Sequence, residues 1–250
     1  MNTAASTTIS TSPSFLKRAL ERIHRDASRA LGVDALTGQR IHLRNDLVRL
    51  GSKYGGWIVP AAAVREDSVC YCVGVGEDIS FDLALMEHFG CEVHAFDPTP
   101  RAIEFVRKNA AELRRFHFHP LGVWDRDELL RFYAPSNPAH VSHSVMNLQQ
   151  TDSYFEAPCR SLTSLMEELG HARIDLLKLD VEGAEHRVIA AMLEHAVTAK
   201  VLCVEFDEAT MELTPESRQR IVTTAAALAS HGYLLVAQEG RSNYTFMRRE

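Results

Sequence analysis

The feature that most constrains the fold of this chain is an apolar run that ends in two closely spaced glycines. Residues 69–73 are apolar, Gly74 and Gly76 follow, and a segment with helical spacing of apolar residues stops at Gly90. A second apolar run then ends on Asp97. A strand, a glycine turn, a helix and a second strand with an acid at its tip is the order in which open α/β sheets build a nucleoside site. The sequence therefore predicts such a site, and a purely structural turn is the alternative.

The residues of the glycine turn favour a ligand with a cationic end over a dinucleotide. A dinucleotide site has a third glycine three residues after the second, where the pyrophosphate rests on a helix N-terminus. Ile79 occupies that position, and the turn carries Glu77 and Asp78, whose carboxylates repel a pyrophosphate. Their charge suits the sulfonium and the amino group of S-adenosyl-L-methionine. Leu121 and Gly122 follow the third strand pattern, and we expect them to form walls for the adenine ring.

Strand and helix patterns alternate five times along the chain and finish in a strand pair. After the stretch above, Thr99 and Pro100 open a further helical pattern. Strand patterns then occupy residues 116–119, 173–180, 200–206, 233–238 and 244–248, and helical patterns occupy residues 161–170, 184–195 and 214–231. We therefore predict an α/β fold with a doubly wound, mostly parallel sheet and an antiparallel last strand. This Rossmann-like architecture is that of class I methyltransferases.

The chain is predicted to have three parts. Residues 1–14 are rich in Ser and Thr and are expected to be disordered. Residues 15–60 are expected to form an N-terminal helical extension, whose first helix packs on the domain or, alternatively, forms a homo-oligomer contact. Residues 61–250 form the methyltransferase-like domain.

Composition and charge narrow the partners and the compartment. The net charge is -6 and no basic stripe stands out, so a nucleic-acid partner is not expected. Five scattered cysteines do not make a disulfide scaffold and suit buried thiols in a reducing compartment. The sequence has no apolar run of membrane-span length and no signal peptide. We expect a cytoplasmic protein that acts on a small-molecule or glycan acceptor.

A second functional pattern follows the fourth strand of the main sheet. Lys178 lies inside a strand predicted to be buried on both faces, so it needs a partner, for which Glu205 on the next strand is the obvious candidate. Asp180 lies at the carboxyl end of its strand, where open α/β sheets bind ligands. We predict that Asp180 and Glu182 take the proton of the acceptor, with His143 as the competing base.

The same acids raise the question of a metal. Asp180, Glu182, Glu205 and Asp207 could converge as oxygen ligands for Mg²⁺ or Ca²⁺. Lys178 between them would neutralise part of their charge, so the expectation from sequence is a site without a metal.

These motifs together resemble the FkbM family of S-adenosylmethionine-dependent methyltransferases. The motifs are Lys-Leu-Asp-Val-Glu-Gly-Ala-Glu at 178–185 and the shorter runs at 72–78, 95–98 and 204–205. The resemblance implies methylation of a hydroxyl on a sugar or sugar-like natural product, with Gly74 and Gly76 as the glycine loop and Asp97 as the acid that binds the ribose. The chain departs from many members at Cys72, where they have an acid, and at 76–78, where they have an Asn-x-Gly run.

Two other functions compete with an O-methyltransferase. A nicotinamide-dependent oxidoreductase on a similar sheet is disfavoured by the missing third glycine. A non-catalytic binding or scaffold protein of the same fold is disfavoured by the acids around Asp180, since a scaffold has no need of them.

Overall fold

The fold is built on strands that alternate with helices. The computed structural model describes residues 22–23, 27–28, 31–134, 145, 151–210 and 213–249. The strands are β1 (Leu47–Leu50), β2 (Trp57–Pro60), β3 (Val69–Val73), β4 (Glu92–Phe96), β5 (Phe116–His119), β6 (Gly122–Val123), β7 (Glu128–Tyr133), β8 (Tyr154–Arg160), β9 (Ile174–Leu179), β10 (Ala199–Glu205), β11 (Tyr233–Glu239) and β12 (Asn243–Arg248). The helices are α1 (Ser80–Phe89), α2 (Pro100–Asn109), α3 (Leu162–Leu169), α4 (Glu185–Glu194) and α5 (Pro215–Ser230).

Seven of the strands form one sheet in the order β11-β12-β10-β9-β3-β4-β5. Every neighbouring pair is parallel except the two pairs made by β12, which is antiparallel to β10 and β11. This confirms the predicted doubly wound sheet with an antiparallel last strand. The chain runs outward from β3 through β4 to β5 and then returns to β9 on the other side of β3. The order therefore reverses between β3 and β9, which is where sheets of this kind bind ligands.

Local sequence explains where the helices next to this switch point begin and end. The Thr99 hydroxyl accepts a hydrogen bond from the backbone of Ala102, and Pro100 opens α2 with a backbone angle suited to a first helical turn. Gly90 ends α1 in the left-handed conformation, with φ of 74°, which costs a glycine little. Both helix boundaries match the sequence prediction. They fix the lengths of the two connections that frame the ligand cavity.

Within the predicted helical extension, residues 22–23 and 27–28 are helical, whereas residues 47–50 and 57–60 are strands. Strands β1 and β2 form an antiparallel hairpin, and Trp57 belongs to the buried core of the main domain. Thr245 on β12 donates a hydrogen bond to the Ile58 carbonyl oxygen at 2.7 Å. The four-residue runs in this segment are too short to show a helical or a strand period, and their pairing depends on contacts with the main sheet. The predicted disorder of residues 1–14 lies outside the described residues.

Three shorter strands form a second sheet beside the main one. Its order is β6-β8-β7, and it places Gly122 and Phe132 beside the end of β4. A Cβ at Gly122 would lie 2.6 Å from the Cys159 sulfur on the neighbouring strand β8, so a larger residue would disturb the packing of this small sheet. In the described part of the chain, no helix combines the length and the apolar character needed to cross a membrane.

Candidate active site

A cavity of about 910 Å³ lies at the carboxyl ends of β3, β4, β9 and β10. One half is lined by the glycine turn after β3 and by the end of β4. The other half is lined by the acids that follow β9 and β10. The two patterns that the sequence singled out, about a hundred residues apart, therefore meet in one space. They meet because β3 and β9 are neighbours in the sheet.

The glycine turn lies directly against the acidic half. Gly74 has φ of 85°, and a Cβ built on it would lie 1.8 Å from the backbone oxygen of Asp180. Lys178 donates a hydrogen bond to the Gly74 carbonyl oxygen at 2.5 Å. Gly74 is thus required by the close approach of the two turns, in addition to any room it leaves for a ligand. Gly76, with φ of 55°, also lines the cavity.

Asp97 lies in the cavity wall, where the sequence predicted it, and its carboxylate braces the glycine turn. One oxygen accepts hydrogen bonds from the backbone of Val75 and Gly76, both at 2.9 Å. The other oxygen accepts from the backbone and the hydroxyl of Thr99, at 2.8 and 2.6 Å. A carboxylate offers about four acceptor positions. A ribose diol at Asp97 would therefore share these oxygens with the turn.

The two acids of the turn line the cavity but already have partners. Glu77 forms an ion pair with Arg101 at 2.7 Å. Asp78 accepts hydrogen bonds from the Ser52 hydroxyl at 2.6 Å and from the Ser80 backbone at 2.8 Å. These contacts tie the turn to α1 and α2, and they leave less of the negative charge for a cationic ligand than the sequence suggested.

Asp82 on α1 is a site residue that the sequence reading missed. Its side chain lines the cavity although the residue is only 4% exposed, and its Oδ1 has no hydrogen-bond partner among the described residues. Burial raises the pKa of Asp82 to about 6, while the nearby charge of Lys178 opposes that rise. An unpartnered buried carboxylate is costly unless a ligand satisfies it. The only hint in the sequence was an acid in the first turn of a helix otherwise facing the core.

Lys178 holds the acidic half of the cavity together. The sequence predicted Glu205 as its partner, but its Nζ lies 3.1 Å from an Asp180 oxygen, and Glu205 instead accepts a hydrogen bond from the Ser242 hydroxyl at 2.9 Å. Burial alone would lower the pKa of Lys178, but the charges of Asp180 and Asp82 outweigh it and raise the pKa above its usual value. Lys178 is therefore a permanent cation between the two halves of the cavity.

The remaining acids of this half are crowded. Burial, and then the charge of Asp180, raise the pKa of Glu205 to about 7. Burial and the charge of Glu185 raise the pKa of Asp207 far above its usual range. Glu185 accepts hydrogen bonds from the backbone of Val181 and Gly183, so it stabilises the start of α4. Because these carboxylates lie close together, their mutual repulsion would be reduced if one of them took up a proton or if a cation bound between them.

The structure separates other predicted residues into those at the cavity and those elsewhere. Gly122 lines the cavity, whereas Leu121 packs against the main core and is not part of the wall. Glu182 lines the cavity in a turn with φ of 53°. His143, the competing base, lies outside the described residues.

The sheet order and the cavity at its switch point have the Rossmann-like architecture of class I methyltransferases. The model of the methyltransferase FkbM domain matches residues 68–235. The chain therefore belongs to the FkbM methyltransferase family. The family assignment confirms the resemblance seen in the sequence and disfavours the oxidoreductase alternative.

Curated relatives share part of the chain. It is 27% identical over 205 residues to the 31-O-demethyl-FK506 methyltransferase FkbM of Streptomyces tacrolimicus, covering 70% of this chain and 76% of that protein. It is 29% identical over 131 residues to the human probable methyltransferase-like protein 24, covering 52% of this chain and 30% of that protein. The chain thus spans about a third of the length of this human relative.

Solved structures show a weaker similarity. A fibrillarin of Aeropyrum pernix with bound S-adenosyl-L-methionine is 12% identical, with a TM-score of 0.38 over 84% of this chain and 85% of that one. This score is too low to say anything about individual residues.

The cofactor of this methyltransferase is S-adenosyl-L-methionine, and the residues of the cavity fit it. Asp82 Oδ1, which has no hydrogen-bond partner among the described residues, suits the ammonium group of the methionine end. The glycine turn and Asp97 lie at the strand ends where nucleosides bind.

Proposed function

We propose that this protein transfers a methyl group from S-adenosyl-L-methionine to a hydroxyl of a sugar or sugar-like natural product. The observation that carries the proposal is the single cavity, which joins a nucleoside-type glycine turn to a cluster of acids. Its volume of about 910 Å³ lies near the upper end of the range of about 300–1,000 Å³ for small-molecule sites. It therefore leaves room for a second reactant beside the cofactor. The name of the Streptomyces relative, an O-methylating enzyme of a natural product, supports the acceptor class.

The glycine-turn half is our proposed cofactor site. Asp97 takes the ribose, sharing its oxygens with the turn, and Gly122 lies at the adenine. Asp82 takes the ammonium group in place of the acid that many family members have at Cys72. Cys72 lies next to Asp82 and is fully buried, and burial raises its pKa, so the thiol stays neutral there. In this chain the carboxylate therefore lies on α1, whereas in many family members it lies on the strand that corresponds to β3.

The acidic half is our proposed acceptor site. The cofactor supplies a methyl group made electrophilic by its sulfonium. The chain has to align the acceptor hydroxyl and to receive its proton, because an alcohol is a poor nucleophile while it keeps that proton. Asp180 and Glu182 line the cavity next to the glycine turn and are our candidates for this role. Lys178 is a positioning residue, because it holds Asp180 at 3.1 Å and the turn at 2.5 Å.

Tyr54 is a further candidate for the acceptor side. In the structure Trp57 is 2% exposed, whereas Tyr54 is 88% exposed and lines the cavity. Sugars commonly stack on exposed aromatic rings, and we propose that Tyr54 provides such a platform.

Methyl transfer from radiolabelled cofactor to a panel of glycosides, polyols and natural-product alcohols tests this proposal. We expect label in at least one hydroxyl acceptor and none in the matched amines. Asp180→Asn should lower turnover by at least about tenfold. Asp67→Asn, at the opposite end of the sheet, should not, because Asp67 only pairs with Arg173 on the surface.

Two outcomes would contradict the proposal. Calorimetric binding of a nicotinamide dinucleotide in preference to S-adenosylhomocysteine would favour the oxidoreductase. Tight cofactor binding with no transfer to any acceptor in extracts of the native host would favour a binding or scaffold protein.

A further inference from the structure

Three acids at the ends of β9 and β10 form a cluster with the geometry of a cation site. Asp180, Glu205 and Asp207 each offer a carboxylate oxygen, and these oxygens lie within 4.8 Å of one another. They follow two adjacent parallel strands, so the backbone of the sheet fixes their spacing. From the sequence no metal was expected here, because Lys178 would neutralise part of the charge of these acids. In the structure Lys178 pairs with Asp180 at 3.1 Å, whereas Glu205 accepts a hydrogen bond from the Ser242 hydroxyl.

Asp207 is a buried acid with a carboxylate oxygen that the described residues leave without a hydrogen-bond partner. The residue is 8% exposed, lines the cavity, and its Oδ2 has no hydrogen-bond partner among the described residues. Its neighbour in sequence, Glu208, shows how this chain neutralises an acid that has only a structural role. Glu208 is just as buried but is paired with Arg220 at 2.5 Å and with His186 at 3.5 Å. Among the described residues Asp207 has no cationic partner, and the nearby carboxylates are those of Glu185, Asp180 and Glu205.

The donor set selects the class of ion. Carboxylate oxygens are hard ligands that suit Mg²⁺, Mn²⁺ and Ca²⁺, and three of them leave coordination positions for water or substrate oxygens. Cysteine and histidine, the ligands of softer ions, are absent from this cluster. We propose that Asp180, Glu205 and Asp207 bind one divalent cation of the Mg²⁺ or Mn²⁺ type, with its open positions toward the cavity.

Such a cation deepens the proposed function, and its use in chemistry rests on that function. A cation there binds the acceptor's hydroxyl oxygen and lowers the pKa of the hydroxyl. The O–H bond breaks, and its proton passes to Glu182. The oxygen keeps the electron pair that forms the bond to the methyl carbon, while the carbon–sulfur bond breaks and leaves its pair on sulfur. Asp180 then serves as a ligand, and Glu182 alone accepts the proton.

Direct binding of Mn²⁺ to the full chain, measured by the loss of the free-ion signal in electron paramagnetic resonance, tests the site without any substrate. We expect one Mn²⁺ per chain, displaced by excess Mg²⁺. Glu205→Gln and Asp207→Asn should each weaken Mn²⁺ binding by more than about tenfold, because the loss of an outer-shell partner alone often costs that much. Asp67→Asn is the matched control, and S-adenosylhomocysteine binding checks that each variant is folded.

The results separate the cation from the methyl transfer. The site is refuted if the wild-type chain binds no Mn²⁺ at millimolar concentration, or if both cavity variants bind it as well as Asp67→Asn does. Full methyl transfer after exhaustive chelation refutes the use of the cation in the reaction, while the proposed function stays intact. Mn²⁺ binding lost in both variants supports the site even if no acceptor is methylated.

Discussion

Replacing Asp82 by Asn tests whether its unpartnered carboxylate recognises the ammonium group of the cofactor. The substitution keeps the shape of the side chain and removes its charge. A hydrogen bond to a charged group contributes about 1.5–3 kcal/mol. The variant should therefore bind S-adenosylhomocysteine about 10- to 100-fold more weakly than the wild type.

The same substitution should affect stability in the opposite direction. In the folded chain the pKa of Asp82 is raised from 3.8 to about 6. At about 1.4 kcal/mol per pKa unit, the ionised carboxylate is destabilising by about 3 kcal/mol above pH 6. The folded chain holds this proton more tightly than the unfolded chain, so wild-type stability falls as the pH rises from about 4 through about 6. Between pH 4 and pH 7 the free energy of unfolding of Asp82→Asn should gain about 2 kcal/mol relative to the wild type.

Isothermal calorimetry with two ligands separates recognition from general damage. S-adenosylhomocysteine carries the amino-acid end, whereas 5′-methylthioadenosine lacks it. Asp82→Asn should weaken only the first, and Asp67→Asn should weaken neither. An equal loss for both ligands, or no loss for either, would show that Asp82 does not contact the ammonium group.

Three further predictions concern the ribose, the base and acid stability. Asp97→Ala should weaken S-adenosylhomocysteine by about 1.5–3 kcal/mol, and unchanged affinity in a folded variant would exclude Asp97 from the site. Asp180→Asn and Glu182→Gln should reduce turnover more than His143→Ala; the reverse order in steady-state kinetics would move the base to the histidine. Burial and neighbouring histidines lower the pKa of His94 to about 3, so the folded chain takes up this proton less readily than the unfolded chain. The free energy of unfolding of the wild type should therefore fall as the pH drops below 6.5, by about 2 kcal/mol between pH 7 and pH 5. In denaturant titrations the free energy of unfolding of His94→Phe should fall less over the same range. The same pH dependence in the variant and the wild type would contradict this assignment to His94.

The assignment of the base and the proposed cation depend on one another. If Asp180 only binds the cation, Asp180→Asn loses Mn²⁺ and turnover together. If Asp180 is the base, the variant loses turnover while Glu205 and Asp207 still hold Mn²⁺ with reduced affinity. Comparing the two measurements on one variant therefore decides which role Asp180 has.

Much of the fold was predictable because its signals are local. Glycine at a turn, a threonine before a proline, and an acid at the end of an apolar run each act within a few residues. These signals located β3, α1, β4 and α2, and with them Gly74 and Asp97. The alternation of strands and helices then predicted the mostly parallel sheet. The run at 178–185 was specific enough to indicate the family.

Other features depended on which residues meet in three dimensions. The hairpin of β1 and β2 forms against the main sheet, and its four-residue strands carry no period of their own. The side-chain partner of Lys178 is Asp180, because the close approach of Gly74 brings the lysine to the turn. In the sequence, Asp82 has the position of an acid that stabilises a helix N-terminus. Its Oδ1 is buried without a hydrogen-bond partner only because α1 packs against the sheet. Local chemistry thus determined the elements and their order, whereas burial and charge pairing between distant residues decided what the cavity can bind.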